Sequence, residues 1–205
     1  MTIAVIGTGN IGGRLAAVWA SNGHRIILGT RDPASEKVRA LIAKHPERIS
    51  AASVLEAAAA SSVVLLAVPA STAHAVAREL GDVTGKILID AMNAVFRRPE
   101  PYARTSEAIR AASGSDHIVK CFNSVGAENM DDPRYGGQTA DMFLCGDHSE
   151  DKKVVRTLAE ECGFTVYDVG GLEKEPLLEN LAALWGSLAM GAGLGRNIAF
   201  KVLRR

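Results

Sequence analysis

Three glycines near the N-terminus have the spacing that binds a dinucleotide diphosphate. They follow a short apolar run and precede a run with helical spacing. Gly7 allows a tight turn, Gly9 lets a diphosphate reach the backbone, and Gly12 lets a helix pack closely on a strand. The free N–H groups at the start of that helix favour an anion. The pattern therefore predicts a dinucleotide site made by Gly7, Thr8, Gly9, Asn10, Ile11 and Gly12.

The end of the second predicted strand indicates which dinucleotide is bound. An NAD site usually has Asp or Glu there, about 20 residues beyond the loop, on the ribose hydroxyls. Here the strand ends in Gly29-Thr30-Arg31, without an acid. Thr30 can donate a hydrogen bond to a 2′-phosphate, and Arg31 can pair with that phosphate and stack on adenine. We interpret Asp32, which precedes Pro33, as the N-cap of the next helix, so the sequence favours NADP(H).

Polar residues after two later strands are candidates for the pocket of a second ligand. Open parallel sheets bind ligands at the carboxyl ends of their strands. Asn93 follows the fifth predicted strand, and Asn123 and Ser124 follow the sixth; a turn role is the alternative for Asn93. His74 is either a cofactor contact or a helix-surface histidine. Lys120 is expected to pack its stem and point its amine outward.

The apolar runs that position these residues alternate between strand and helix periodicity. Strands are predicted at 2–6, 25–29, 48–51, 62–68, 86–90, 117–122, 141–145 and 164–168. Helices are predicted at 10–22, 34–44, 53–60, 72–80, 102–112, 149–162 and from about 174 onward. This alternation predicts an α/β fold, a doubly wound Rossmann-type parallel sheet with a C-terminal helical extension.

The extension is predicted to be a separate segment of the molecule. Residues 1–170 form the NADP-binding Rossmann domain, and residues 171–205 form a C-terminal helical segment that packs on the same domain or on a dimer partner. The helical pattern is interrupted by Gly186, Gly191, Gly193 and Gly195. Each costs about 1 kcal/mol against alanine in a helix, so their number indicates close packing. We expect a homodimer.

Composition and charge argue against several classes of function. Lys and Arg number 23, as do Asp and Glu, so nothing favours a nucleic-acid or membrane partner. The uncharged run 57–77 is interpreted as a strand between two helices, not a membrane span. Three scattered cysteines and five scattered histidines predict neither a disulfide framework nor a metal site. With no signal segment, this cysteine usage is typical of a cytoplasmic protein.

Taken together, these motifs resemble a known family. Its features are the glycine loop, Thr30-Arg31, Val68-Pro69 after the fourth strand, and Cys145-Gly146-Asp147 before a Lys-Lys-Val-Val helix. The chain resembles the deazaflavin (coenzyme F-420)-dependent NADP oxidoreductases, and within them a bacterial branch of predicted dinucleotide-binding proteins. The cytosolic part of the six-transmembrane metalloreductases is similar.

The resemblance implies an NADPH-dependent oxidoreductase. It would transfer hydride between NADP(H) and a flat acceptor over the nicotinamide, either a deazaflavin (coenzyme F-420) or a flavin such as FMN or FAD. The resemblance places Val68, Pro69 and His74 in the loop beside the cofactor. Hydride transfer between such cofactors needs positioning more than acid–base groups, so the absence of a catalytic triad is compatible with an enzyme.

Two other functions remain open from the sequence. The first is a dehydrogenase of small hydroxy or imino acids, which commonly carries a large additional helical domain. The second is a non-catalytic NADP(H)-binding redox sensor, which would keep the glycine loop and Thr30-Arg31 but lack room above the nicotinamide.

Overall fold

A computed structural model of the 205-residue chain describes residues 1–95 and 97–205. Its strands are β1 (Thr2–Ile6), β2 (Arg25–Gly29), β3 (Ile49–Ala52), β4 (Val63–Leu66), β5 (Ile87–Asp90), β6 (Ile118–Lys120), β7 (Arg134–Tyr135), β8 (Gln138–Thr139), β9 (Asp141–Gly146) and β10 (Thr165–Asp168). Its α-helices are α1 (Asn10–Ser21), α2 (Glu36–Ile42), α3 (Val54–Ala59), α4 (Ala73–Glu79), α5 (Thr105–Ser113), α6 (Ser149–Glu161) and α7 (Glu175–Gly186).

Eight of the strands in the described residues form one sheet, in the order β10-β9-β6-β5-β4-β1-β2-β3. Strands β1 to β6 pair in parallel, and their order 3-2-1-4-5-6 is that of the Rossmann fold. The predicted fold class is therefore confirmed. One pair departs from a purely parallel sheet, because β9 runs antiparallel to β6 and places Cys145 opposite Lys120.

Alternate residues of each central strand enter two separate cores. In β1, Ile3 and Val5 belong to the core that also contains Trp19 of α1. Ala4 and Ile6 belong to the core on the other face. Side chains alternate between the faces of a strand, so helices on both faces bury the central strands. The uncharged run 57–77 spans α3, β4 and α4 in this arrangement, which confirms its interpretation as a strand between helices.

The start of α2 differs from the prediction. The helix begins at Glu36 with Ser35 as its N-cap, so the assignment of Asp32 as N-cap is wrong. Asp32 instead accepts a hydrogen bond from the backbone N–H of Ala34 at 3.1 Å. This local bond forms a turn before the helix, and Asp32 lies in the connection that follows Arg31.

The C-terminal extension is helical only in its first half. Helix α7 continues as a π-helical turn over Ser187–Gly191, but residues 192–205 contain no helix, so the prediction of helix beyond Gly191 is wrong. Gly193 and Gly195 have positive φ angles of 72° and 76°, which an α-helix does not allow. The segment then runs along the sheet, where Asp141 donates its backbone N–H to the Phe200 carbonyl at 3.1 Å.

No helix among the described residues is both long and apolar enough to cross a membrane.

Candidate dinucleotide and acceptor site

The three loop glycines occupy different environments between β1 and α1. Gly7 has a φ of 104°, and a Cβ there would collide with the Ala67 carbonyl oxygen. A Cβ at Gly12 would collide with the Gly7 carbonyl oxygen. At Gly9, by contrast, a Cβ would meet no atom within 4 Å. Gly7 and Gly12 are therefore required by packing, whereas Gly9 faces open space at the N-terminus of α1.

The loops that end β2 and β4 flank the glycine loop. Thr30 and Arg31 follow β2 and line a recess of about 440 Å³. Arg31 is exposed and, within the described residues, forms no ion pair. Val68 lies beside Gly7, and Pro69 accepts a hydrogen bond from the Thr72 hydroxyl at 2.8 Å. The sheet brings these loops together because β1 lies between β2 and β4.

The recess lined by Thr30 and Arg31 also contains acidic side chains. Glu56 and Glu79 are among its lining residues. The Ser53 side chain and backbone N–H both hydrogen-bond to the Glu56 carboxylate, which lowers the pKa of Glu56. A second recess next to Gly9 is lined by Lys37 and Lys44. Basic side chains therefore line both recesses, Arg31 in one and Lys37 and Lys44 in the other.

A pocket of about 310 Å³ opens between the start of α1 and helix α7. It is lined by Asn10, Ile11, Asn93, Val95, Asn123, Val125, Gly126, Ala127, Ala182, Trp185, Gly186, Met190 and Arg196. The structure thus brings the predicted Asn93 and Asn123 together with Asn10 and Ile11 of the glycine loop. We call this space the Asn123 pocket.

Asn93 and Asn123 hydrogen-bond to each other in the wall of this pocket. Asn93 Nδ2 donates to the Asn123 carbonyl at 2.9 Å. Asn123 Nδ2 donates to Asn93 Oδ1 at 3.0 Å and to the Leu178 carbonyl at 3.2 Å. These acceptors fix the orientation of the Asn123 amide. Its Oδ1 atom is buried and has no hydrogen-bond partner among the described residues. A buried acceptor of this kind is costly unless a ligand N–H pairs with it.

Two other predicted residues lie outside the pocket. Ser124 is fully buried, and its hydroxyl lies 3.9 Å from the Met142 sulfur. His74 lies on α4, where its ring stacks on Tyr102 with 5.4 Å between ring centroids. The side chain of Ser124 follows that of Asn123 and points to the other side of the backbone, into the core.

The C-terminal segment closes one side of the Asn123 pocket. The Arg196 guanidinium lies 5.3 Å from the centre of the Trp185 ring, and Trp185 Nε1 donates to the Ile198 carbonyl at 2.8 Å. Arg196 also pairs with Glu128, Nε to Oε1, at 2.8 Å, and this hydrogen bond lowers the pKa of Glu128. Sequence analysis missed Arg196, because only the folded chain brings the C-terminal segment to Gly126.

A buried network of charges lies next to this pocket, at the carboxyl ends of β5 and β6. Lys120 is fully buried, so the expectation of an outward amine is wrong. Its Nζ lies 3.2 Å from Asp90, 3.4 Å from Glu175 and 2.6 Å from Glu179. It also donates to Thr105 Oγ1 at 2.9 Å. Three carboxylates from two elements, β5 and α7, therefore keep the amine inside.

The network contains three carboxyl groups and one amine, so burial affects their protonation. Burial raises the pKa of Asp90 to about 6; Lys120 opposes this rise, and Glu175 adds to it. Burial by itself would lower the pKa of Lys120, but Asp90, Glu175 and Glu179 raise it above its ordinary value. Lys120 therefore remains charged, and the pKa of Asp90 lies closer to neutral pH than that of an ordinary aspartate.

The described cysteines do not offer a nucleophile. Burial raises the pKa of Cys145 and of Cys162 to about 12, and it also raises that of Cys121. A thiol must ionise to attack a substrate. The cysteines are therefore small core residues, as their apolar sequence neighbours indicate.

The fold, the glycine loop and the comparisons with known proteins define an NADP-dependent oxidoreductase. Residues 2–94 match the model of a family described as "NADP oxidoreductase coenzyme F420-dependent". The chain is similar to this family from β1 through β5 and the loop that follows β5.

Two relatives illustrate the range of the family likeness. The F420-dependent NADP reductase of Methanothermobacter marburgensis is 29% identical, and the match covers 90% of each chain. Metalloreductase STEAP3 of Rattus norvegicus is 25% identical over 83% of this chain, which spans 34% of that relative's length. A solved structure from Arthrobacter sp. FB24, described as a candidate F420-dependent NADP reductase, covers both chains completely at 29% identity and a TM-score of 0.85.

Proposed function

We propose that this protein transfers hydride between NADP(H) and a deazaflavin or flavin whose ring enters the Asn123 pocket. The observation that carries the proposal is the position of that pocket. It is bounded by Asn10 and Ile11 at the start of α1 and by Asn93 and Asn123 at the ends of β5 and β6. A dinucleotide with its diphosphate on Gly9 would extend its nicotinamide into this space.

The diphosphate end of the cofactor would bind the chain's N-terminal half. The free N–H groups at the start of α1 favour the diphosphate, and the open space at Gly9 gives it access. Thr30 and Arg31 would bind the 2′-phosphate, and Val68 and Pro69 would flank the cofactor. A phosphate beside Arg31 forms charge-assisted hydrogen bonds, which are stronger than neutral ones.

The nicotinamide end would pair with the unsatisfied oxygen of Asn123. A carboxamide carries two N–H donors, and Asn123 Oδ1 is a buried acceptor without a partner among the described residues. Pairing would hold the nicotinamide ring in one orientation. Hydride transfer requires this kind of positioning, while the reactivity belongs to the cofactors.

The acceptor ring would lie between the nicotinamide and α7. Apolar side chains of Ile11, Val95, Val125 and Trp185 line this part of the pocket. Flat aromatic rings bind well between such surfaces. A non-catalytic sensor needs no such opening, so the pocket favours an enzyme over the sensor alternative.

The proposal is tested by anaerobic turnover of the purified protein. NADPH is mixed with coenzyme F-420 or with FMN, and loss of the reduced-nicotinamide absorbance is followed, with NADH as the control. Turnover with one acceptor establishes the acceptor class. NADPH binding without turnover of either acceptor would contradict the proposal and favour a small hydroxy or imino acid substrate, or a sensor.

A pair of variants tests whether hydride transfer takes place in the Asn123 pocket. Asn123→Leu should reduce turnover about tenfold or more, as expected when a positioning hydrogen bond worth about 1.4 kcal/mol is lost. Asn180→Leu is the matched control, because Asn180 is exposed on α7. Equal rates for the two variants would place the reaction elsewhere.

We further propose that the protein is a homodimer formed through the C-terminal extension. Leu177, Leu184, Met190 and Leu194 are 58%, 49%, 61% and 60% exposed. A second copy of the chain would cover them. Sedimentation at micromolar concentration tests this, and a monomer would contradict it.

A further inference from the structure

Two histidines that are distant in the sequence lie together at the end of the sheet opposite the glycine loop. His117 immediately precedes β6, and His148 follows β9. Because β9 is antiparallel to β6, the start of β6 and the end of β9 lie at the same end of the sheet. Their rings stack with 4.2 Å between centroids and 17° between planes.

The carboxylate of Asp116 lies against both rings. Its oxygens are 3.8 Å from His117 Nε2 and 3.4 Å from His148 Nε2. The three candidate ligand atoms all lie within 4.8 Å of one another. The edge of a tetrahedron with zinc–ligand bonds of 2.0–2.2 Å is roughly 3.4 Å. Rotation of these side chains would bring the atoms to that separation and turn the two ring nitrogens toward one ion.

His117 makes the hydrogen bond that is usual for a metal-binding histidine, and His148 has a buried ring nitrogen that faces the same cluster. His117 Nδ1 lies 2.8 Å from the Asp151 carboxylate, and metal-binding histidines usually donate their second N–H to such a group. This bond leaves His117 Nε2 as the coordinating atom. His148 is the N-cap of α6 but makes no capping bond. Its Nε2 atom is buried, and Asp116 Oδ2 at 3.4 Å is its neighbour in this cluster.

We propose that Asp116, His117 and His148 bind one divalent transition-metal ion of the Zn²⁺ class, with water as the fourth ligand. Imidazole with carboxylate suits zinc, copper and nickel, whereas Mg²⁺ and Ca²⁺ prefer oxygen ligands. Glu150 and Asp151 in the first turn of α6 offset the unfavourable field that the helix N-terminus exerts on a cation. The ion would join the start of β6 to the start of α6.

The buried thiols do not compete for this metal. Metal ligation requires a thiolate, and burial raises the pKa of all three cysteines. The site is also independent of the proposed hydride transfer, since it lies at the opposite edge of the sheet. Its occupancy would stabilise the fold, because a ligand that binds only the native state raises its stability.

The test is calorimetric titration of the metal-free protein with Zn²⁺ alone, with Mg²⁺ as the comparison ion. We expect one Zn²⁺ per chain, no comparable Mg²⁺ binding and a Zn²⁺-dependent rise in Tm. His148→Asn and Asp116→Asn should each weaken Zn²⁺ binding about tenfold or more. Both side chains are partly exposed, so these variants are expected to fold.

The matched control is His45→Asn. His45 is partly buried and hydrogen-bonds Ser21 at 3.1 Å, away from the proposed ligands, so this variant should bind Zn²⁺ like the wild type. Wild-type protein without Zn²⁺ binding would overturn the proposal. Equal affinity of the wild type and His148→Asn would overturn it as well.

Discussion

Lys120 Nζ lies 2.6 Å from Glu179 Oε1, so an ion pair joins the end of β6 to helix α7. Glu179 Oε2 also accepts the backbone N–H of Ala94 at 2.9 Å. One turn further along α7, Ala182 lines the Asn123 pocket. The buried network therefore fixes the helix that forms one wall of the proposed acceptor site.

Loss of the buried amine should destabilise the protein. Lys120→Met leaves Asp90, Glu175 and Glu179 without their cation, and breaking a buried pair in this way costs about 3–5 kcal/mol. Urea unfolding followed by circular dichroism measures the change. Adding Glu175→Gln to Lys120→Met should restore part of the loss, because it removes one uncompensated carboxylate.

The control for this prediction is an exposed pair. Lys153 and Glu150 are 2.7 Å apart, and their side chains are 70% and 78% exposed. Lys153→Met should change stability by about 1 kcal/mol or less. Similar losses for Lys120→Met and Lys153→Met would show that the buried network does not hold α7.

The Asp90 carboxyl should give stability a distinctive pH dependence. Its folded-state pKa is about 6, raised by burial from an ordinary 3.8. Between these values the folded state binds the proton more than the unfolded state does, so the contribution of Asp90 falls as pH rises. The free energy of unfolding of the wild type relative to Asp90→Asn should therefore decrease between about pH 4 and pH 6 and then level off. A difference that is constant with pH would contradict this.

Gly9→Val should abolish NADPH binding without harming the fold. A Cβ at this position meets no protein atom within 4 Å, so Tm should be close to the wild-type value, but the valine side chain would occupy the space of the diphosphate. Affinity for NADPH, measured by fluorescence titration, should fall about a hundredfold or more, or roughly 2.7 kcal/mol.

Substitutions at two other glycines are the controls for Gly9→Val. Gly137→Val adds the same side chain at another open position and should leave NADPH affinity intact. Gly12→Ala collides with the Gly7 carbonyl oxygen and should lower Tm. Unchanged NADPH affinity in Gly9→Val would refute the loop assignment.

Arg31 should discriminate NADPH from NADH. Arg31→Ala removes an exposed guanidinium beside the recess of Thr30 and should weaken NADPH binding by about 1–3 kcal/mol, with NADH little changed. Equal losses of affinity for NADPH and NADH would contradict the assignment of Arg31 to the 2′-phosphate. Lys37→Ala serves as the comparison, because Lys37 lines the recess on the other side of the loop.

The sequence by itself determined the features that depend on neighbouring residues. The glycine loop is a contiguous motif whose packing demands at Gly7 and Gly12 follow from one turn between a strand and a helix. The strands and helices agree with prediction to within a few residues at most ends, because apolar periodicity reports which face of each element is buried. The parallel direction of β1 to β6 follows from their alternation with helices.

Only the tertiary structure decided which distant polar groups meet. Lys120 is buried because Asp90 and two glutamates of α7 converge on it, and no sequence pattern shows that these distant partners meet the amine. The same holds for the pairing of Asn93 with Asn123 and for the contact of His117 with His148. These contacts depend on how strands and helices pack in three dimensions, since the energy of a buried polar group is set by the donors and acceptors around it.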